Sequence, residues 1–339
     1  MRFKRKEAMA HRLIKDLKVG DTVDQYFLVK RKDLRKTRSY DEFINVVLTD
    51  VSGDIRGKIW KERIHLGTLF RQGDFVRVKA AVDQYGEYPQ LIIEDIENIN
   101  KLKERGRFTG FELSLLVPRT SYDVDELYQR LMGIIEKEID IKSLKYVTER
   151  ILIKYKKEFK ECPAARLYHH SYLGGLIEHT YFVTKGVMAL MDSYGGFNRS
   201  LAICGAILHD IGKLREIQSP AISLHTYEGE LLGHMLLGRD ILREESVDID
   251  WEDERLKFHL EHIIVSHHGE LEFGSPVMPK TREALLIHFC DNLDAHMNMF
   301  NNYLRLGGEG EFTEWHPVLK RTLCKSDFND IEVESDIDI

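Results

Sequence analysis

The chain has 339 residues, 43% hydrophobic and 31% charged, enough for about two domains with real cores. No apolar run approaches the roughly 20 residues that span a bilayer, and the basic start Met1-Arg2-Phe3-Lys4-Arg5-Lys6 has no apolar stretch behind it, so neither a membrane partner nor a secretory signal is expected. The net charge of −7 argues against a polyanionic partner until its distribution is read: from Asp327 to the last residue there are six acidic residues and no basic one, whereas six basic residues against one Asp crowd between Lys30 and Arg38.

Residues 1–18 read as a basic arm. From residue 20 to 98 the pattern is β. Tyr26–Lys32, Phe43–Thr49, Ile55–Trp60, Phe75–Val82 and Gln90–Glu94 are short and rich in β-branched and aromatic residues, with turns at Ser52-Gly53-Asp54 and Gln84-Tyr85-Gly86. Trp60–Leu69 looks helical. Five strands with a helix after the third match the small Greek-key barrel called the OB-fold, which binds single strands on one sheet face and its bordering loops. The first loop would carry the basic cluster, so Arg31, Lys32, Arg35, Lys36 and Arg38 are candidate phosphate contacts. Tyr40, Trp60, Tyr85 and Tyr88 are candidate stacking platforms. The plainer alternative is that the aromatics fill the barrel and the cations are simply solvated.

After a charged boundary near 100–115 the period turns helical. Val124–Glu138 and Ser143–Phe159 lead into a stretch that is helical throughout, to about Trp315-His316-Pro317. Along it the inward stripes carry imidazoles and carboxylates. His179 lies between Leu176 and Val183, and His209-Asp210 end the apolar run Leu201–Leu208. His234 shares a face with Leu237 and Ile241, His267-His268 follow Leu260 and Ile264, and Asp291 lies on the stripe of Ile287 and Ala295. One buried His is usually a satisfied core residue. Seven such groups without partners would cost about 1–3 kcal/mol each. A shared metal centre satisfies them together, and imidazole with carboxylate suits Mn, Fe, Co, Ni or Zn. The four cysteines form no CxxC pair and read as reduced thiols of a cytoplasmic protein, with Cys204 and Cys290 in the core. Residues 319–339 read as an acidic, loosely held tail.

The order His179, His209-Asp210, Asp291, within the run His209-Asp210-Ile211-Gly212-Lys213, resembles the HD superfamily of metal-dependent phosphohydrolases, an all-helical fold. His234 and His267-His268 match the extra ligands of its two-metal members. A barrel at 19–105 ahead of a helical domain at 112–318, with Gly174-Gly175-Leu176-Ile177-Glu178-His179-Thr180 and Glu228-Gly229-Glu230-Leu231-Leu232-Gly233-His234 around two ligands, resembles the YhaM-type 3′→5′ exoribonucleases. That resemblance implies Mn-dependent removal of nucleotides from single-stranded RNA or DNA and assembly into a homo-oligomer. Two divalent metals are then expected. One would take His179, His209, Asp210 and Asp291, the other His234, His267 and His268, with Asp210 between them. Lys213 is expected to contact a phosphate or the leaving oxygen. His170 and His225 are open as substrate contacts, and Glu178 as a support behind the ligands. Two rivals remain. One is a nucleotide phosphohydrolase or cyclic-nucleotide phosphodiesterase with a regulatory barrel; the other is an inactive nucleic-acid-binding adaptor.

Overall fold

The structure is a computed structural model that describes residues 11–325 except 38, 87, 109, 111, 166–169 and 306–309. Residues 1–10 of the basic arm, Arg38, and 326–339 of the acidic tail therefore lie outside the described residues.

A closed barrel comes first, with strands β1 (Thr22–Lys36), β2 (Glu42–Asp50), β3 (Gly53–Ile59), β4 (Phe75–Tyr85) and β5 (Tyr88–Asn98) in the order β1-β2-β3-β5-β4. The strands β3 and β5 pair in parallel, and β1 closes the barrel against β4. The long β1 serves both neighbours. Its first half, Thr22–Leu28, pairs with β4; Leu28–Lys36 pairs with β2, across a bulge between Val29 and Arg31. Alternation fills the interior: Phe27, Val29, Val46, Leu48, Val76, Val78, Leu91 and Ile93 are all fully buried or nearly so. At Gly57 a Cβ would come within 2.8 Å of Ile93 and 2.9 Å of Val46, so this strand position needs the missing side chain.

Two expectations change here. The basic cluster does not sit in a loop: Arg31–Lys36 belong to β1, because backbone pairing with β2 carries the strand past its apolar stretch. The segment Lys61–Leu69 is a kinked run of 3-10 turns rather than an α-helix. Ahead of β1, Ile14 and Leu17 join the barrel core and His11 Nε2 lies 3.0 Å from Asp50 Oδ2.

Between barrel and helices, β5 runs directly into α1 (Ile99–Glu104). Tyr26, Leu28 and Phe75 on the outside of the barrel pack with Leu102, Leu116, Val117 and Leu173, so the boundary is an apolar contact rather than an open linker.

The helices that follow are α2 (Val124–Glu138), α3 (Lys142–Lys154), α4 (Lys156–Glu161), α5 (Gly175–Tyr194), α6 (Arg199–Leu208), α7 (Lys213–Glu216), α8 (Tyr227–Glu245), α9 (Glu254–Ser266) and α10 (Arg282–Arg305). A small hairpin, β6 (Ile217–Ser219) with β7 (Leu224–His225), joins α7 to α8. Asp123 caps α2 through Asp125 and Glu126, Asn198 caps α6 through Leu201, and Thr226 caps α8 through Gly229. Every residue of α6 after Arg199 is buried, as befits a helix apolar on all sides, and α5, α9 and α10 surround it. The expected helix 143–159 is divided at Tyr155 into α3 and α4. The packed part also runs past Trp315-His316-Pro317: Leu319 and Leu323 are buried against Met299, and His316 Nδ1 accepts from the backbone of Val318 and Leu319.

Candidate metal centre and nucleic-acid interface

The seven ligand candidates come from five places in the helical domain and converge. His179 is one turn into α5; His209 and Asp210 follow α6; His234 is in α8; His267 and His268 follow α9; Asp291 is in α10. Each ring nitrogen on the far side is held by an acceptor. His209 Nδ1 lies 2.8 Å from the Ala206 carbonyl, His267 Nδ1 2.8 Å from Ile264, and His268 Nδ1 2.9 Å from Phe273. His179 Nδ1 meets Asp294 Oδ2 at 2.7 Å, and His234 Nδ1 lies 3.4 Å from Glu216. A proton on Nδ1 leaves each Nε2 lone pair facing inward, the tautomer a metal ligand needs.

The inward atoms form two groups. His179, His209 and Asp291 offer ligand atoms within 4.8 Å of one another, and so do His234, His267 and His268. Asp210 lies between them. Its Oδ2 is 3.6 Å from Nε2 of both His179 and His209, while Oδ1 is 3.4 Å from Nε2 of both His234 and His267. His179 Nε2 is 3.1 Å from Asp291 Oδ1.

Three of these atoms, Asp210 Oδ1, His234 Nε2 and His267 Nε2, are buried and have no hydrogen-bond partner among the described residues. Leaving such atoms unmet costs about 1–3 kcal/mol each, and a cation placed among them would meet all three. The donor set therefore fits a divalent metal of the Mn, Fe or Zn kind.

Electrostatics agree with a site built around charge. Despite burial, Lys213 and His209 hold Asp210 well below the usual carboxylate range, and His179 does the same for Asp291. Burial works against a charged His179, yet its bonds to Asp291 and Asp294 raise it to about 10, so a metal at this position would have to displace a proton from its Nε2. Burial and the neighbouring His268 push His267 down to about 3, so it is a neutral donor at any ordinary pH. Burial likewise lowers His209 and His268.

Lys213 is placed differently from expectation. Its Nζ donates to Asp210 Oδ2 and is itself buried, so it neutralises the central carboxylate rather than reaching out to a phosphate. Gly212, just ahead of it, has no room for a side chain: a Cβ would stand 1.8 Å from the His234 carbonyl and 2.4 Å from the Gly238 nitrogen. That close approach lets α8 bring His234 up against Asp210.

Sequence periodicity missed the supports. Gly233 breaks α8 at φ 71°, so His234 begins a new helical segment whose backbone N–H donates to Glu216 Oε1 at 3.0 Å. Asp294, one turn after Asp291, accepts from both His179 and His170, the latter at 2.8 Å. His170 thus belongs to a support behind the ligands, although it was open as a substrate contact. His225 lies on the small hairpin, 3.6 Å from Glu230. An acid one turn after the last ligand was the available signal for Asp294; nothing in the spacing marked Glu216. Asp294→Asn is expected to weaken metal affinity about 10–100-fold while leaving all seven ligands in place. Metal titration of the variant checks this, and wild-type affinity would mean that Asp294 does not orient His179.

The barrel carries a second candidate site. A groove of about 370 Å³ crosses the outer face of β1, β2, β3 and β5, with Arg31, Arg35, Arg56 and Lys58 beside Phe43, Tyr85 and Tyr88. Lys58 Nζ stands 4.2 Å from the Tyr85 ring centre and 5.3 Å from that of Trp60, which stacks obliquely on Phe43 at 5.5 Å. Tyr85 and Tyr88 are well exposed, as stacking on bases requires. Arg56 and Lys58 were not foreseen; their alternation in β3 with buried Ile55 and Ile59 was the signal. Lys32 leaves the set. Its ammonium turns under the barrel to the Gly67 and Phe70 carbonyls at 2.5 and 2.9 Å, and burial lowers its pKa. Lys36 pairs with Glu42 at 3.5 Å, and Tyr40 is exposed on the turn between β1 and β2.

A closed five-stranded barrel followed by a helical domain with a His-His-Asp group and a His triplet on either side of an Asp defines an OB-fold joined to an HD domain. Residues 28–99 match the OB-fold nucleic acid binding domain family and 176–296 the HD domain family. The chain is 31% identical over 296 residues to the 3′-5′ exoribonuclease YhaM of Bacillus subtilis, covering 87% of this chain and 92% of that protein. The same-named protein of Bacillus velezensis is 32% identical over 296 residues with the same coverage. A solved domain of replication protein A from Methanococcus maripaludis aligns with 26% of this chain and 93% of its own, at 21% identity and a TM-score of 0.23. The chain belongs to the YhaM family. Among the described residues no helix is long and apolar enough to cross a membrane.

Proposed function

We propose that this protein is a metal-dependent 3′→5′ exonuclease of single-stranded RNA, with DNA as a second substrate. In this reading residues 19–105 guide the strand and residues 112–318 cut it. The observation that carries the reading is Asp210, one oxygen toward the His179–His209–Asp291 group and the other toward the His234–His267–His268 triplet. It supports two metals. His179, His209 and Asp291 would hold one and His234, His267 and His268 the other, with Asp210 shared. When bound, a pair of divalent ions supplies Lewis-acid polarisation of the phosphate and an activated water. Mixed nitrogen and oxygen donors favour Mn, with Fe, Co, Ni and Zn as alternatives.

The chain's own residues do the rest. Asp294 and Glu216 fix the rings of His179 and His234. Lys213 balances the charge of Asp210 inside the fold. The groove on the barrel holds phosphates through Arg31, Arg35, Arg56 and Lys58, and bases through Tyr85 and Tyr88. Single strands enter such a groove; a paired duplex hides the base faces that the tyrosines need. Family membership favours a cytoplasmic homo-oligomer as the working form.

The test is a 5′-end-labelled RNA incubated with protein and Mn2+. A ladder shortening by one nucleotide at a time, with 5′-monophosphate products, is expected. Turnover of free nucleotides or cyclic dinucleotides with intact RNA would replace this reading with the nucleotide phosphohydrolase one.

A further inference from the structure

Beside the metal centre a cavity of about 430 Å³ opens between the start of α5 and the C-terminal half of α10. Asp294 forms part of its wall, and the same carboxylate holds His179, so the cavity begins one side chain away from the ligands. Its polar floor is a chain of hydrogen bonds: Asn298 Nδ2 donates to the Tyr172 hydroxyl at 3.0 Å, and that hydroxyl donates to Glu178 Oε1 at 3.1 Å. The other oxygen, Glu178 Oε2, is buried with no partner among the described residues, and the side chain is only 9% exposed. Tyr122 and Phe182, which meet edge to face at 5.4 Å, also line it, and Arg119 and Arg305 add cations.

These parts suit one nucleoside. The size is that of a site for a single small ligand. An aromatic pair accepts any base, since every base has a π-face. A carboxylate oxygen can only accept, and the group it lacks is a hydroxyl or amine donor. We propose that the cavity receives the terminal nucleoside of the strand and that Glu178 Oε2 accepts a hydrogen bond from its 3′-hydroxyl. This rests on the exonuclease reading and adds to it the device that recognises the end. With the last nucleoside seated here, the phosphate presented to the metal centre is the one joining it to the rest of the strand, and one nucleotide leaves per cut. A 3′-phosphate would instead bring an anion against Glu178 and Asp294, a like-charge contact that Arg119 and Arg305 elsewhere on the lining offset only in part.

The test compares oligonucleotides of one sequence ending in a 3′-hydroxyl, a 3′-deoxy sugar or a 3′-phosphate, with kcat/KM read on release of the first nucleotide. Loss of a hydrogen bond to a charged group is expected to lower the 3′-deoxy value about 10–100-fold, and the 3′-phosphate value further. In Glu178→Gln and Glu178→Ala, assayed at matched metal content, the ratio between 3′-hydroxyl and 3′-phosphate ends is expected to fall toward one. Titration with adenosine and 3′-deoxyadenosine supplies a readout apart from turnover, with adenosine binding more tightly to the wild type. Equal values on all three ends, with the one-nucleotide ladder intact, overturn the end-recognition device and leave the exonuclease reading standing. Absence of any ladder removes the exonuclease reading instead. The adenosine titration then decides the cavity alone, and binding that is absent or indifferent to Glu178→Ala overturns it. Should the variants fail to fold, the substrate series on the wild type still decides.

Discussion

Asp210→Asn is expected to lower phosphodiester turnover by on the order of 10³-fold or more while single-stranded RNA still binds. The size follows from position. Among the described residues Asp210 faces both ligand groups, with Oδ2 toward His179 and His209 and Oδ1 toward His234 and His267. An amide keeps the shape but turns one acceptor into an N–H2 donor, so whichever way it lies one triplet loses its shared oxygen. The same change strips buried Lys213 of its counter-ion, and breaking a buried pair typically costs about 3–5 kcal/mol. A lower melting temperature is therefore expected as well, and circular dichroism must show that the variant is folded before its kinetics are read. Adding Lys213→Met should restore much of the lost stability but none of the turnover, because the methionine removes only the stranded charge. Metal content by mass spectrometry should fall. Asp210→Asn protein that is folded, metal-replete and active would defeat the assignment of Asp210 as the shared ligand. Binding survives in this account because the groove lies on the barrel, on different elements from the triplets.

The sequence made the centre legible because buried polarity is conspicuous. An imidazole on an apolar stripe has to be answered by something, and five such stripes in succession leave few answers. What it hid were consequences of backbone geometry. The break at Gly233 gives His234 its Glu216 partner, and the missing side chain at Gly212, where a Cβ would collide with the His234 carbonyl, lets α8 close on Asp210; neither has a periodic signature. Nothing in the periodicity singled out Asp294, because a support behind a ligand sits on the edge of the stripe rather than on it. On the barrel the error ran the other way. Arg31–Lys36 read as a loop because β-propensity is judged from apolar alternation, whereas a strand whose outer face is solvated keeps its place through backbone pairing with β2 alone. Lys32 carried the charge of a polyanion contact, but its inward register in the same strand sends it to the Gly67 and Phe70 carbonyls. A count of cations cannot separate the two uses; the parity of the strand does.

That parity sets the second large effect. Arg31 and Arg35 differ by four residues and so share a face of β1, and Arg56 and Lys58 differ by two in β3; all four line one groove. Replacing the four with alanine is expected to weaken single-stranded RNA binding steeply at low salt. On a log-log plot of affinity against salt, each lost phosphate contact removes roughly 0.7 of slope for a single strand, so a fall of about 3 is expected if each cation meets one phosphate. Lys32→Ala should leave that slope alone and instead lower the melting temperature, since it uncovers two carbonyls. Tyr85→Ala and Tyr88→Ala should each cost about 1–3 kcal/mol of binding with little change in slope, because stacking is not a counter-ion effect. Hydrolysis of a small phosphodiester such as bis(p-nitrophenyl) phosphate, which needs the metal centre and not the groove, is the control expected to hold throughout. If it fell in parallel with RNA binding, the quadruple variant would be reporting misfolding. If the slope were unchanged with the small substrate intact, the strand would have to follow another face of the barrel.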